Sequence, residues 1–381
     1  TNCGGIIAPD GRIWTAEEYP LIESWGQGNN NVNFVRNMND VIIGEGTEID
    51  KTQVLFSGTV DNVQTLDTYG QPNGEAPAKE GHDFIGISEL MPGEYLISVN
   101  HETRNMNEKI GDGGAMTSFK IKNVDGQYEV MEQTLADGRE GKFFNVDFVN
   151  TVGETWTNCG GIIAPDGRIW TAEEYPRMES WGQGNEDVEG FITNMNDVII
   201  GEGVEASLRQ TLFSGTIDMV QTLDTYRQPN GEAPAKEGHD FIGISEIQPG
   251  EYLISVNHET RSRDKKIGDG GAMTSFKIKN VDGQYMIMDQ ELPDGREGKF
   301  FNVDFVNTVG ETWTNCGGLI APDGRIWTAE EYPRMESWGQ GNNDVADFIS
   351  NMNDVVIGEG QVVSVKDQVL FSGTVDSVQT V

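Results

Sequence analysis

Apolar and polar residues alternate along much of the chain, and turn signals interrupt the alternation at short intervals. NCGGIIA, the turn PDG and RIWTAEE, starting at Asn2, have the strand–turn–strand form of a β-hairpin. FIGISEL, MPGE and YLISVNHE repeat that form from Phe84 onward. MTSFKIKN, VDGQ and YEVMEQTL give a third hairpin, with a two-residue period through Phe119, Ile121 and Val130. KFFNVDFVNT and QVLFSGTVDNVQTL read as further strands. One stretch departs from this period. In DVADFISNMNDVV the apolar residues Val345, Phe348, Ile349, Met352, Val355 and Val356 fall at helical spacing, which predicts one short helix in each repeat.

The pattern is itself repeated. TNCGGIIAPDGRIWTAEEYP begins at Thr1, returns at Thr157 and returns again at Thr314, where Leu319 replacing an isoleucine is the one change. His101 recurs as His258, and Asn37 recurs as Asn194 and Asn351. Two full units, 1–156 and 157–313, are followed by a partial third, 314–381. Each full unit contains a Cys module, Thr1–Leu66 in the first copy, and a His module, Glu80–Asn150. The order is therefore Cys, His, Cys, His, Cys. The expected fold is all-β, a β-propeller of five or six blades in one domain, with about two blades in each 157-residue unit. An open solenoid is the alternative arrangement for such copies.

Composition narrows the class of partner. The 381 residues carry 62 Asp and Glu against 26 Lys and Arg, a formal net charge of −36. A chain of that sign does not displace counterions from phosphate backbones, so nucleic acid is excluded as a non-specific partner. Anionic lipid is disfavoured on the same ground. Eight Trp, nine Tyr and sixteen Phe are too many for a disordered acidic chain, and no apolar run is long enough to span a membrane. No leader segment is recognisable at the first residues.

The candidate chemistry sits in three motifs. All four histidines lie in GHDF (His82 with Asp83, His239 with Asp240) or VNHET (His101, His258). All three cysteines lie in TNCGG, as Cys3, Cys159 and Cys316. An acidic pair follows each cysteine at fixed spacing: Glu17 and Glu18, Glu173 and Glu174, Glu330 and Glu331. Thiolate, imidazole and carboxylate together form a metal-ligand set, in which carboxylates favour hard ions such as Ca²⁺ and a thiolate favours iron or zinc. Each feature also has a plainer explanation. A single cysteine per copy suits a small buried hydrophobe, and a His beside Glu at a strand end suits a hydrogen-bonded pair. Adjacent glutamates in a strand point to opposite faces, so one of each pair at most faces a shared site. The Gly-rich GDGGAMTSF lacks the spacing of a phosphate loop and reads as a turn.

Taken in order, GHDFIGISELMPGEYLISVNHET, GDGGAMTSFKIKNVDGQYEV and TNCGGIIAPDGRIWTAEE resemble the PhoX-type alkaline phosphatase family. The resemblance covers most of one repeat, and so most of the chain. It implies a β-propeller that holds iron (Fe³⁺) bridged through a cysteine, binds several Ca²⁺ ions through carboxylates, and hydrolyses phosphate monoesters. Carried across, Cys3, Cys159 and Cys316 correspond to the bridging thiolate. One acid of each TAEE pair, with Glu102 and Glu259, corresponds to metal ligands, and His82, Asp83, His101, His239, Asp240 and His258 to residues in or beside that set. The family is exported, so an extracellular or periplasmic location is implied. The competing expectation is a non-catalytic, calcium-binding repeat protein of the cell exterior, able to associate head to tail through its incomplete last unit.

Overall fold

The structure is a computed structural model. It describes residues 2–18, 40–45, 48–58, 60–102, 109–111, 114–148, 155, 157–174, 197–201, 210–215, 217–224, 226–259, 266–267, 271–305, 312, 314–331, 354–358 and 369–372. Every regular element among them is a strand, so the expectation of an all-β chain holds. The expected helix is overturned where it can be followed: Val355 and Val356 lie in the strand Asp354–Gly358. The run DVVIG there is short, apolar and β-branched, which suits a buried strand better than a helix. Val345 to Met352 lie outside the described residues.

The first copy shows the plan. β1 (Asn2–Ile7), β2 (Ile13–Glu17), β3 (Asp40–Glu45) and β4 (Glu48–Ser57) form a four-stranded sheet in chain order. The chain then turns at Ser57, whose amide donates to Asp61 Oδ2 at 2.8 Å. β5 (Asn62–Leu66), β6 (Pro72–Pro77), β7 (His82–Met91), β8 (Glu94–His101), β9 (Ala115–Val124), β10 (Gln127–Val130) and β13 (Phe144–Asn145) form a seven-stranded sheet. Two short strands, β11 (Gln133–Thr134) and β12 (Glu140–Gly141), pair separately. NVQTL, grouped with the Cys module on sequence, is therefore a strand of the His module, because the Ser57–Asp61 turn redirects it.

β7, β8 and β9 are antiparallel neighbours in near-continuous register. The β9–β10 turn uses Asp125 at φ 51 and Gly126 at φ 87, the left-handed pair that a two-residue hairpin requires. β13 instead runs parallel to β5, with Phe144 opposite Gln64. That short pairing is reinforced by a side chain. Arg139, almost fully buried, donates to the carbonyls of Gln64 at 3.1 Å and Asn145 at 2.6 Å and is ion-paired with Asp137 at 2.8 Å. Between the two sheets lies a core of Trp14, Phe56, Val63, Ile97, Val99, Phe119, Ile121 and Tyr128. Tyr128 also donates to Asp10 Oδ2 at 2.5 Å, fastening the first hairpin turn of the Cys sheet to the His sheet.

By contacts the chain divides into two compact units, one built on Thr1–Thr171, the other on Ala172–Pro176 and Arg209–Val381. The second unit repeats the seven-stranded sheet as β18 (Met219–Leu223), β19 (Pro229–Pro234), β20 (His239–Gln248), β21 (Glu251–His258), β22 (Ala272–Val281), β23 (Gln284–Ile287) and β26 (Phe300–Asn302). It ends with a four-stranded sheet of β27 (Asn315–Ile320), β28 (Ile326–Glu330), β29 (Asp354–Gly358) and β30 (Val369–Ser372). The middle copy of the Cys hairpin supplies β14 (Asn158–Ile163) and β15 (Ile169–Glu173).

Candidate metal centre

The site begins with two neighbouring strands that carry alternating chemistry. His82 on β7 lies directly opposite His101 on β8. Both rings turn into the core, 4.8 Å apart, and His82 stacks on Phe56 at 5.0 Å. His82 Nε2 contacts the Lys79 carbonyl at 3.2 Å, and His101 Nε2 contacts Thr117 Oγ1 at 2.8 Å. Burial pushes the His82 pKa down to about 3 and holds His101 well below the usual imidazole value, so both are neutral at pH 7. Lys79, itself 1% exposed, adds to the pressure against protonating His101. The second unit reproduces the pair: His239 and His258 are 4.9 Å apart, Phe213 stacks on His239, and His239 is also pushed to about 3.

One residue further along, the acids turn the other way. The β7–β8 register slips between His82 and Ile85, a bulge that re-aims Asp83. Glu102 follows the end of β8 and is held by its amide, which donates to the Gly81 carbonyl at 2.8 Å. The third member comes from the next repeat. Cys159 on β14 donates from Sγ to Asp83 Oδ2 at 2.9 Å. Asp83, Glu102 and Cys159 each offer a ligand atom within 4.8 Å of the other two.

The approach of β14 depends on small residues. A Cβ on Gly161 would stand 2.5 Å from the Phe84 ring, and a Cβ on Gly114 would stand 2.2 Å from Asn158 Oδ1. Glycine at these positions lets the TNCGG segment close onto β7 and the β9 entry. Asn100, fully buried on β8, completes the junction. Its Nδ2 donates to the carbonyls of Cys159 at 2.7 Å and Gly160 at 3.0 Å, and to Thr171 Oγ1 at 2.9 Å.

The second unit holds the same arrangement in Asp240, Glu259 and Cys316. Asn257 donates to the carbonyls of Cys316 at 2.7 Å and Gly317 at 3.2 Å, and to Thr328 Oγ1 at 2.9 Å. Here the electrostatics are explicit. Burial raises the Glu259 pKa well above the usual carboxyl value, and the charges of Asp240, Glu174 and Glu331 add to the rise. A hydrogen bond with Cys316 opposes it. Several carboxylates and a thiol thus crowd one partly buried place, an arrangement that favours proton uptake or a bound cation.

The remaining predicted residues divide clearly. Glu18, Glu173, Glu174 and Glu330 are buried, while Glu331 is exposed at its edge of the cluster. Cys3 lies on β1, and Glu17 ends β2 opposite Asn2; their side chains lie outside the described residues. The four histidines are placed in the core beside phenylalanine and belong to neither three-residue group among the described residues. Sequence reasoning missed Asn100 and Asn257. Their signal was the Asn that immediately precedes each VNHET histidine. No helix among the described residues is long and apolar enough to cross a membrane.

No protein-family model matches the chain, and no curated protein does. Among solved structures, it is similar to an exo-1,5-alpha-L-arabinanase from a bovine ruminal metagenomic library, at 10% identity and a TM-score of 0.41, covering 89% of this chain and 92% of that one. A GH43 endo-arabinanase from Bacillus licheniformis gives 11% identity and a TM-score of 0.34, covering 88% and 95%. Pseudomonas fluorescens PhoX in complex with vanadate, a transition-state analogue, gives 10% identity and a TM-score of 0.37, covering 72% and 62%.

Proposed function

We propose that the chain is a metal-dependent hydrolase of phosphate monoesters, built as a propeller of repeated sheets and working at the cell exterior. One observation carries this reading: three potential ligands from separate segments of the chain meet in Asp83, Glu102 and Cys159, and meet again in Asp240, Glu259 and Cys316. The donor chemistry fits a cation. Carboxylate oxygens with one sulfur suit iron or zinc at the thiol, and the surrounding acids suit Ca²⁺. Burial, with the charges of Asp240, Glu174 and Glu331 added to it, raises the Glu259 pKa, and a bound cation would offset both. Asp83, Glu102 and Cys159 would hold one ion, and Asp240, Glu259 and Cys316 another, with Glu174 and Glu331 near the second. A bound metal ion supplies the positive charge that attracts a phosphate dianion and the Lewis acidity that such hydrolysis requires. The residues themselves hold and orient that charge, and without it the acids would repel the substrate.

The test is elemental analysis of the purified chain together with hydrolysis of p-nitrophenyl phosphate. Iron or zinc with calcium, and hydrolysis lost in the Cys159→Ser, Cys316→Ser double variant, is the expected result. Calcium alone without hydrolysis would instead support a calcium-binding repeat protein, a reading favoured by the net charge of −36.

A further inference from the structure

The TNCGG hairpin carries a bulge where its cysteine sits. In the first and third copies the strand register slips between Asn2 and Gly5 and between Asn315 and Gly318. A bulge leaves residues outside the ladder, and their backbone groups need other partners. The Cys316 and Gly317 carbonyls in that gap accept from Asn257, and the Cys159 and Gly160 carbonyls accept from Asn100. The same amide nitrogen reaches the hydroxyl of Thr171 or Thr328 on the second strand of the hairpin. Asn100 stands two residues before Glu102, and Asn257 two before Glu259. The strand that brings the carboxylate therefore grips the loop that brings the sulfur, across 59 residues of chain in both units.

We propose that Asn100 and Asn257 are positioning residues that set the metal preference of the two centres, an inference that rests on the metal-binding reading above. They hold the thiol bulge against the carboxylate strand, so that sulfur joins the oxygen donors. Without the amide donor the carbonyls of the bulge, buried in the first unit and half-buried in the second, lose their partners, and the loop shifts to find others. The carboxylates stay, because Glu102 and Glu259 are anchored separately through backbone bonds to Gly81 and Gly238. A centre so altered keeps its affinity for hard ions and loses its affinity for ions that need a thiolate.

The full-length chain is compared with the Asn100→Ala, Asn257→Ala double variant in three measurements. In the first, cobalt(II) titration is followed by the near-ultraviolet thiolate-to-cobalt charge-transfer band; the band is expected in the wild type and lost in the variant. In the second, calcium binding is followed by calorimetry and is expected to stay within about twofold, since the carboxylates remain. In the third, labelling of the metal-free thiols is read at Cys159 and Cys316 by peptide mass mapping. It should run about tenfold faster or more in the variant, because each loop loses both carbonyl hydrogen bonds to its asparagine amide. A Leu55→Ala control, destabilised away from the centre, is expected to keep both the band and the slow labelling. If the alanine pair does not fold, Asn100→Asp with Asn257→Asp, isosteric but unable to donate, takes its place. A folded variant with the wild-type band and labelling rate overturns the proposal. A wild type without the band overturns the thiolate–metal reading instead, and the labelling comparison then decides whether the asparagines grip the loop.

Discussion

The two sides of the β7–β8 strand pair carry neighbouring residues to opposite fates. His82 and His101 turn inward onto Phe56, and Asp83 and Glu102 turn outward to Cys159. Asp83 is buried nearly as fully as the histidines, at 4% exposure against 0%. Burial alone therefore does not separate structure from chemistry here. What separates them is the protonation each environment selects. The inner side drives imidazole to its neutral form among aromatic rings, which completes a core. The outer side gathers like charges, and in the second copy burial first and these charges second lift the Glu259 pKa. Only that side favours a cation.

The largest expected effect tests the inner side through pH. A buried histidine with a depressed pKa leaves the unfolded chain to bind the extra proton. Stability should therefore be full above pH 6.5 and fall as pH drops towards 3, by about 1.4 kcal/mol per pH unit for each such histidine. Urea unfolding of the metal-free chain across that range measures the slope, and His82→Asn with His239→Asn should reduce it by roughly half, since His101 and His258 are also held well below 6.5. Next, Phe56→Ala removes the ring on which both histidines of the first unit rest, at a cost of about 3–5 kcal/mol in the same assay.

The outer side should respond with the opposite sign. A raised Glu259 pKa favours the folded state below pH 4.5, and that contribution is lost as pH rises through the raised value. A divalent cation should therefore stabilise the chain most at neutral pH, by about 2.7 kcal/mol per centre at a hundredfold excess over Kd, and less in acid. Calorimetric melting with and without chelator reads this. Gly161→Ala forces a methyl against Phe84 and Trp170 and should cost about 1–3 kcal/mol while weakening metal binding at the first centre only. The smallest change belongs to Tyr69, 82% exposed at a hairpin turn, where alanine should stay within about 0.5 kcal/mol of the parent.

Much of this was legible from residue order. Alternation through Phe119 and Ile121 placed β9, and the VDG turn placed its partner strand. The identities of Glu102, Glu259, Cys159 and Cys316 as candidates came from motif and resemblance together. Pairing did not, because a thiol that serves the acids of the preceding copy leaves no short-range pattern. The histidines lie in the core for a physical reason. A residue beside a ligand in sequence points away from it in a strand, so VNHE places its Glu at the centre and its His in the core. NVQTL was misassigned because the turn that detaches it from the Cys sheet is closed by the Ser57 amide on Asp61 and by the Val60 and Asp61 amides on the Ser57 carbonyl, contacts that leave no hydrophobic pattern. The helical spacing near Val355 failed because a short apolar run satisfies both periods.

The dependence of each centre on the following copy also bears on how such a chain can change. A crossover between copies that deletes one 157-residue unit removes a junction, and with it one complete set of acid and thiol. An added unit creates a new set without any point mutation. Capacity for metal would then grow in whole steps with the number of joins, and a substitution in one TNCGG segment would be felt by the copy before it.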